Sequence, residues 1–432
     1  MEQLLPEPIR IASPIVRRLR AHEFEAVFVG GCVRDTVLGL PIKDVDIATS
    51  ARPEQVMELF ERCIPTGLQH GTVTVLYEGS GYEVTTFRQE SSYEEHRKPE
   101  SVLYITSLEG DLLRRDFTMN AMAMAEDGEL LDPFGGLRDL ETKVLRCVGD
   151  ADARFQEDAL RMLRAVRFIG AYHLIPAHHT WKALIRHRKL MKFIAMERVQ
   201  AELDKMMAGA APQRALYFVG ASGLLLHLKE PLTEDALLAL TNACRTAESA
   251  SLFSRLHQLS SLDLRWAAVG IGLSLALEDI LHVMQVLRFS NQRTKSIAAI
   301  FAIHKQALVL ANQQDEQLLR LEWIKLIIRF GESPAKEWID VLRVLTGGNL
   351  TRLNGCLSRF EVWLNEISIS SLKQLKVNGS ELKKHLRRKP GPWISDWLNR
   401  LLVEVANGQL VNDKQQLLKQ ASEWDKEDTN DE

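Results

Sequence analysis

Several features that would mark a simpler class of protein are missing from these 432 residues. There is no run of eighteen apolar residues, which excludes a helix able to span a bilayer and predicts no membrane partner. Cysteine is scarce: Cys32, Cys63, Cys147, Cys244 and Cys356 are odd in number, far apart and form no C-x-x-C, which excludes a disulfide framework and a zinc site. No fixed-period repeat, low-complexity segment or long heptad stretch is present, so a solenoid and a coiled-coil dimer are excluded and no obligate protein partner is expected. The C-terminal half carries no His-Asp phosphohydrolase motif, and the isolated His178-His179 reads as a helix start. The first residues, MEQLLPEPIR, carry acids and proline in place of an apolar core, which predicts a cytoplasmic protein. A formal charge of only −3 gives no one-signed field. Distribution matters more than the sum: basic residues gather in 154–198 and 373–389, while the last ten residues form an acidic, solvated tail.

What is present is a change of class along the chain. Up to about Cys147, strand-like and helix-like runs alternate, with turn signals at Gly79-Ser80-Gly81, Asp127-Gly128 and Asp132-Pro133. From Asp150 onward Leu, Ala, Lys, Glu and Arg recur at helical spacing. The reading is an α/β head (a small mixed sheet with helices) over 1–148, followed by all-α segments over 149–210, 211–312 and 313–432. At 46% hydrophobic residues the composition suffices for sizeable cores.

The densest chemistry lies in GGCVRDTVLGLPIKDVD, Gly30 to Asp46. The run Ala26 to Val29 before it is strand-like, so Gly30 and Gly31 fall at a strand-to-helix turn where backbone N–H groups can face a phosphate. Asp44 and Asp46 flank Val45 in a short β-type stretch, and at period two their carboxylates share a face. Adjacent carboxylates repel unless a cation lies between them, and such oxygen ligands suit Mg²⁺ held jointly with substrate phosphates. Two further strands, Thr72 to Leu76 and Tyr82 to Phe87, read as a hairpin whose Glu83 could bring a third carboxylate. The pattern points to metal-dependent nucleotidyl transfer, with a surface Asp-x-Asp and a solvent-facing Glu83 as the bland alternatives.

At the start of the helical part lies FQEDALRMLRAVRF, Phe155 to Phe168. On a continuous helix Asp158, Arg161, Arg164 and Arg167, three apart, form one polar ridge, with Leu160, Leu163 and Val166 as an apolar stripe. The alternative is a salt-bridge ladder in which Glu157 and Arg161 pair at i, i+4.

In order, the glycine and carboxylate motif, RRDFTMNAMA at Arg114 to Ala123, DPFGG at Asp132 to Gly136, EDALRMLRAVRF at Glu157 to Phe168 and MERVQAEL at Met196 to Leu203 resemble the bacterial class II tRNA nucleotidyltransferases, the CCA-adding enzymes. The likeness continues to VNGSEL and GPW near the C-terminus and spans nearly the whole chain. It implies a seahorse-like elongated architecture of head, neck, body and tail, and template-independent building of CCA on tRNA from CTP and ATP. It implies that Asp44 and Asp46 bind two Mg²⁺ ions, with Glu83 as the third head carboxylate. Gly30, Gly31, Arg34 and Arg115 are implied to contact the nucleotide, with Asp116 and Asn120 near its ribose. Asp158 and Arg161 correspond to the family's amino-acid template, Arg164 and Arg167 supporting it or reaching the triphosphate, while Glu197 and Arg198 order the neck helices. Internal salt bridges are the alternative for Arg34 and Asp116.

The template chemistry has its own logic. A carboxylate accepts from the amino group of cytosine or adenine and a guanidinium donates to their ring acceptors, whereas uracil O4 and guanine O6 would set an acceptor against the carboxylate. DPFGG is a hinge between head and neck or a turn ending the sheet. The loop Ser91 to Ser101, with Arg97, Lys98 and Pro99, resembles the family's switch from C to A addition, which disfavours CC-only activity. The absence of a long basic C-terminal extension sets the chain apart from bacterial poly(A) polymerases, but A-only addition and poly(A) synthesis stay open, as does a catalytically inactive RNA-binding protein. Lys383, Lys384, Arg387, Arg388 and Lys389 are placed to touch the tRNA elbow.

Overall fold

A computed structural model describes residues 5–90, 93–94, 98–99, 102–243, 252–345 and 350–430. The chain divides into two compact units, Met1–Cys244 with Val286–Arg288, and Arg245–Gln285 with Phe289–Glu432.

In the first unit, α1 (Glu7–Ala21) buries Ile9, Ala12, Ile15, Val16 and Leu19, the i, i+3, i+4 stripe of an amphipathic helix. It leads into β1 (Ala26–Val29), whose four residues are all buried, as expected of a strand covered on both faces. Then come α2 (Gly31–Val37), β2 (Asp46–Thr49), α3 (Pro53–Leu59), β3 (Cys63–Gly67), β4 (Thr72–Tyr77) and β5 (Ser80–Thr86). β6 (Arg88–Glu90) pairs with β9 (Val102–Tyr104), and β7 (Tyr93–Glu94) with β8 (Lys98–Pro99). Arg97 and its neighbours 91–92, 95–96 and 100–101 lie outside the described residues, as does Cys244. After α4 (Leu108–Leu113) the strands β10 (Ala123–Met124) and β11 (Leu130–Leu131) complete a seven-stranded sheet of order β11-β10-β1-β2-β5-β4-β3. It is mixed: β2 and β5 run parallel, whereas β1–β2 and β4–β5 are antiparallel.

Two local expectations change. The hairpin turns at Glu78-Gly79, where both residues have positive φ, as the tight two-residue turn matching strand twist requires; Ser80 and Gly81 already belong to β5. β2 begins at Asp46 and not at Asp44, because Asp46 is the first residue to pair with both β1 and β5.

Beyond the sheet, Asp132 caps α5 (Gly136–Glu141) by accepting from Gly136 N at 2.7 Å and Leu137 N at 2.9 Å. The helices α6 (Ala151–Glu157), α7 (Leu160–Ala171), α8 (His178–His187), α9 (Met196–Ala208), α10 (Pro212–Ser222) and α11 (Glu234–Ala243) follow. His178-His179 opens α8, as expected of a helix start.

The second unit is helical throughout its described elements. Trp323 stacks on Phe360 with centroids 4.5 Å apart, donates its indole N–H to the Phe360 carbonyl at 3.0 Å, and meets Trp338 at 5.4 Å. A second cluster gathers Leu382, Trp397, Leu401, Leu402, Leu417 and Trp424. The VNGSEL segment serves this fold: Asn378 accepts from Ser380 N and Glu381 N, and Glu381 reaches back to Asn378 N, a reciprocal cap.

Candidate active site

A cavity of about 880 Å³ in the first unit is lined by every catalytic and nucleotide-binding candidate named from the sequence: Gly30, Gly31, Arg34, Asp44, Asp46, Glu83, Arg115, Asp116, Asn120, Asp158, Arg161, Arg164 and Arg167. Nine cationic side chains face five carboxylates there, an excess that suits a polyphosphate.

The carboxylate end is set by sheet register. Asp46 pairs with Val29 of β1 on one side and Glu83 of β5 on the other, so Asp46 and Glu83 project side by side from one face. Asp44, exposed, lies two residues ahead, beyond the buried Val45. Burial, then Glu83, raises the Asp46 carboxyl above its usual range, with Asp44 adding to the rise and Arg115 opposing it. Gly30 is the backbone wall of this end. At φ +74° it sits where side chains are strained, and a Cβ there would lie 3.1 Å from Arg115 Nη1 and 3.6 Å from Asp46 Oδ2.

Among the described residues, no group of three or more His, Cys, Asp or Glu is gathered closely enough to hold a metal alone. The donors nevertheless fit a hard divalent cation: one or two carboxylates, electrostatically short of positive charge, with remaining positions left for phosphate and water oxygens.

The guanidinium groups are held from behind. Arg34 bonds Asp35 Oδ1 at 2.9 Å, stacks 4.5 Å from the Tyr172 ring centroid and donates to Asn120 Oδ1 at 2.6 Å. Asn120 donates to Asp116 Oδ1 at 3.1 Å, and Asp116 Oδ2 takes Arg164 at 2.6 Å. The chain Arg34–Asn120–Asp116–Arg164 thus ties α2 to α7. Burial pushes the Asp116 carboxyl up, but Arg164 and Asn120 outweigh it and leave it below the ordinary carboxylate range. Both internal salt bridges weighed from the sequence are therefore present, while the same residues line the cavity. Arg167 bonds the buried Glu202 of α9 at 2.7 Å and lies 4.1 Å from the Phe168 centroid. Arg115 bonds Asp111 at 3.2 Å, and its Nε is buried without a hydrogen-bond partner among the described residues.

The polar ridge is corrected. α6 stops at Glu157 and α7 starts at Leu160, with Asp158 between them in extended conformation (φ −137°, ψ 105°). An Asp competes with the helix for backbone N–H groups, and Asp158 Oδ1 accepts from Leu160 N at 3.0 Å as a cap does. Arg161 forms the expected pair with Glu157 and donates to the carbonyls of Arg154 at 3.1 Å and Arg114 at 3.0 Å.

Sequence reasoning missed Arg198 as a lining residue. It reaches Asp158 Oδ2 at 2.9 Å from α9, and the only signal was its place in MERVQAEL, read there as structural. Arg88, Arg114, Phe168 and Lys205 were missed as well.

Comparison with known proteins follows the same division. The family model "Poly A polymerase head domain" matches residues 26–146, "Probable RNA and SrmB- binding site of polymerase A" residues 176–237, and a tRNA nucleotidyltransferase domain 2 model residues 257–421. A curated CCA-adding enzyme of Geobacillus thermodenitrificans is 38% identical over 411 residues, covering 95% of this chain and 96% of that one. One from Ligilactobacillus salivarius is 35% identical over 420 residues, 96% and 97% covered. The crystal structure of the Bacillus stearothermophilus CCA-adding enzyme in complex with CTP superposes with TM-score 0.82 at 32% identity, covering 99% of this chain and 100% of that one.

Proposed function

The chain belongs to the family of CCA-adding enzymes, tRNA nucleotidyltransferases, and on that premise we propose how its own residues perform the reaction. It adds C, C and A to the 3′ end of tRNA from CTP and ATP with release of pyrophosphate. The tRNA 3′ oxygen bonds to the α-phosphorus, the bond from that phosphorus to the pyrophosphate oxygen breaks, and the hydroxyl proton passes to solvent water. The observation that carries this reading is one cavity holding the Asp46–Glu83 row at one end and Asp158 with Arg161 among fixed guanidinium groups at the other.

Asp44 and Asp46 would hold Mg²⁺, which supplies a lowered hydroxyl pKa and neutralises charge developing on the leaving group. Glu83 adds the third carboxylate of that row. Gly30 and Gly31 let the backbone approach the nucleotide, and Arg34, Arg115, Arg164 and Arg167 meet its phosphates in orientations their carboxylate partners already fix. Asp116 and Asn120 border the ribose through the Arg34 chain. Asp158 reads the base: one oxygen takes Leu160 N and the other Arg198, yet a carboxylate has further lone pairs to accept an amino proton. Arg161, clamped by Glu157 and two carbonyls, lines the cavity beside Asp158 as the guanidinium of the base-reading pair. The head, neck, body and tail boundaries at 148, 210 and 312, and a cytoplasmic location, belong to the same proposal.

Replacing Asp44 and Asp46 together by Ala tests it. Transfer should fall to background while tRNA binding, read by filter retention, stays within about threefold. Retained transfer would remove the carboxylates from the chemistry.

A further inference from the structure

The reaction brings two substrates to one row of carboxylates, and in the proposed reading the nucleotide takes the cavity. The row itself continues past the cavity. Register carries it from Asp46 on β2 to Glu83 on β5, then to Thr74 on β4 and Ile64 on the edge strand β3. Glu83 lines the cavity, whereas Thr74 and Ile64 do not.

On the opposite face of β4 and β5, Val73, Val75, Tyr82 and Val84 are buried. On the face of the row the same strands alternate to Thr72, Thr74, Leu76, Gly81, Glu83 and Thr85, none of them buried. Ile64 is 45% and Leu76 40% exposed, a high value for large aliphatic side chains beside a reacting centre. The surface is flat next to Glu83, because Gly81 follows at period two with no side chain. It also offers polar groups. Thr66 and Thr74 share one hydrogen bond at 2.8 Å, which uses one hydroxyl proton and leaves the other free to donate outward.

We propose that this uncovered face, built by Ile64, Thr66, Thr74 and Leu76, is the docking surface for the 3′-terminal nucleotides of the RNA primer. The inference rests on the nucleotidyltransferase reading, in which the nucleotide fills the cavity and the primer hydroxyl arrives at Glu83 from its open side. Thr74 is the next position in the row, so a chain end lying on it reaches the carboxylates without crossing the cavity. The row itself offers hydroxyl and aliphatic groups that fit ribose edges, and the exposed Arg62, opposite Leu76 just before β3, adds a cation for a backbone phosphate beside it. Occupation by ribose 2′-hydroxyls follows from that match.

The test is steady-state extension by the full chain of tRNA lacking CCA, comparing Ile64→Glu, the pair Thr66→Val and Thr74→Val, and Leu238→Glu as an added charge on an exposed residue elsewhere. Ile64→Glu should raise KM for tRNA roughly tenfold and leave KM for CTP unchanged, with Leu238→Glu changing neither. Primers with 2′-deoxy sugars at the last two positions should be weaker for the parent and no weaker still for the Thr→Val pair. An unchanged KM for tRNA in Ile64→Glu overturns the surface. Should Ile64→Glu fail to fold, 4-thiouridine at the primer terminus decides on the parent protein: crosslinks within residues 63–77 or 80–86 support the surface, and crosslinks wholly elsewhere overturn it. A parent that extends no tRNA fails the family reading instead, and the crosslink still reports on the surface.

Discussion

Apart from Arg88, whose guanidinium donates to the His70 carbonyl, the guanidinium groups that line the cavity are oriented by carboxylates, so single substitutions separate structure from chemistry. On the proposed base-reading role, Asp158→Ala removes the acceptor that distinguishes an amino group from a carbonyl, and a good base contact is worth about 1–3 kcal/mol of discrimination. The ratio of CTP to UTP incorporation should fall by about 10- to 100-fold, measured with both nucleotides in competition. Asp116 acts differently, because its partners Arg164 and Asn120 hold its carboxyl below the ordinary range. A lowered folded value means stability that is present above the unfolded pKa and lost as pH falls through the folded one. Asp116→Asn should therefore be destabilised at neutral pH, on the order of 3 kcal/mol for breaking a buried pair. Its thermal midpoint should also fall less steeply than the parent's on acidification below the ordinary carboxylate range. Residue identity was legible from sequence wherever a chemical type was rare and clustered, as at Gly30 to Asp46. Arg198 was not: its role depends on α9 lying against the break before α7, a long-range contact that no local pattern encodes.

At the scale of elements, glycine positions show where backbone had to come close. Gly30 requires positive φ (φ 74°, ψ −128°) and stands against Arg115, so Gly30→Ala should cost about 1–3 kcal/mol for a backbone region that side chains rarely adopt. It should raise KM for CTP by moving Arg115, and equilibrium urea unfolding alongside CTP kinetics checks both. At Gly136 a Cβ would lie 2.3 Å from the Thr118 carbonyl, which explains the glycine in DPFGG by packing. The strands and helices of the head were readable because valine alternation and apolar stripes are local signals. Their register was not, since the Asp46–Glu83 pairing joins strands that are distant in sequence. The break at Asp158 escaped for the opposite reason. The surrounding residues fit one helical period, and only the competition of an Asp side chain for Leu160 N interrupts it.

For the whole molecule, the expected change from an α/β head to helices holds: the seven-stranded sheet precedes a remainder that is mostly helix. Among the described residues, no helix is long and apolar enough to cross a membrane. Among the C-terminal helices, Lys383, Lys384 and Lys389 are exposed, whereas Arg388 is engaged by Asp425 at 3.2 Å and lies over the Trp393 ring. Changing the three lysines to Gln should weaken tRNA binding and reduce its salt dependence by about 0.7–0.9 in log–log slope for each phosphate no longer neutralised, measured by titration across salt concentrations. The most direct measurement for the account as a whole is extension of three tRNA transcripts, ending before CCA, after C and after CC, with Mg²⁺ and the four nucleoside triphosphates supplied singly and together. Growth of all three to one CCA end, with UTP and GTP refused, is the predicted result. Extension of the CC-ending transcript alone, or a long A ladder on unrelated RNA, would contradict it.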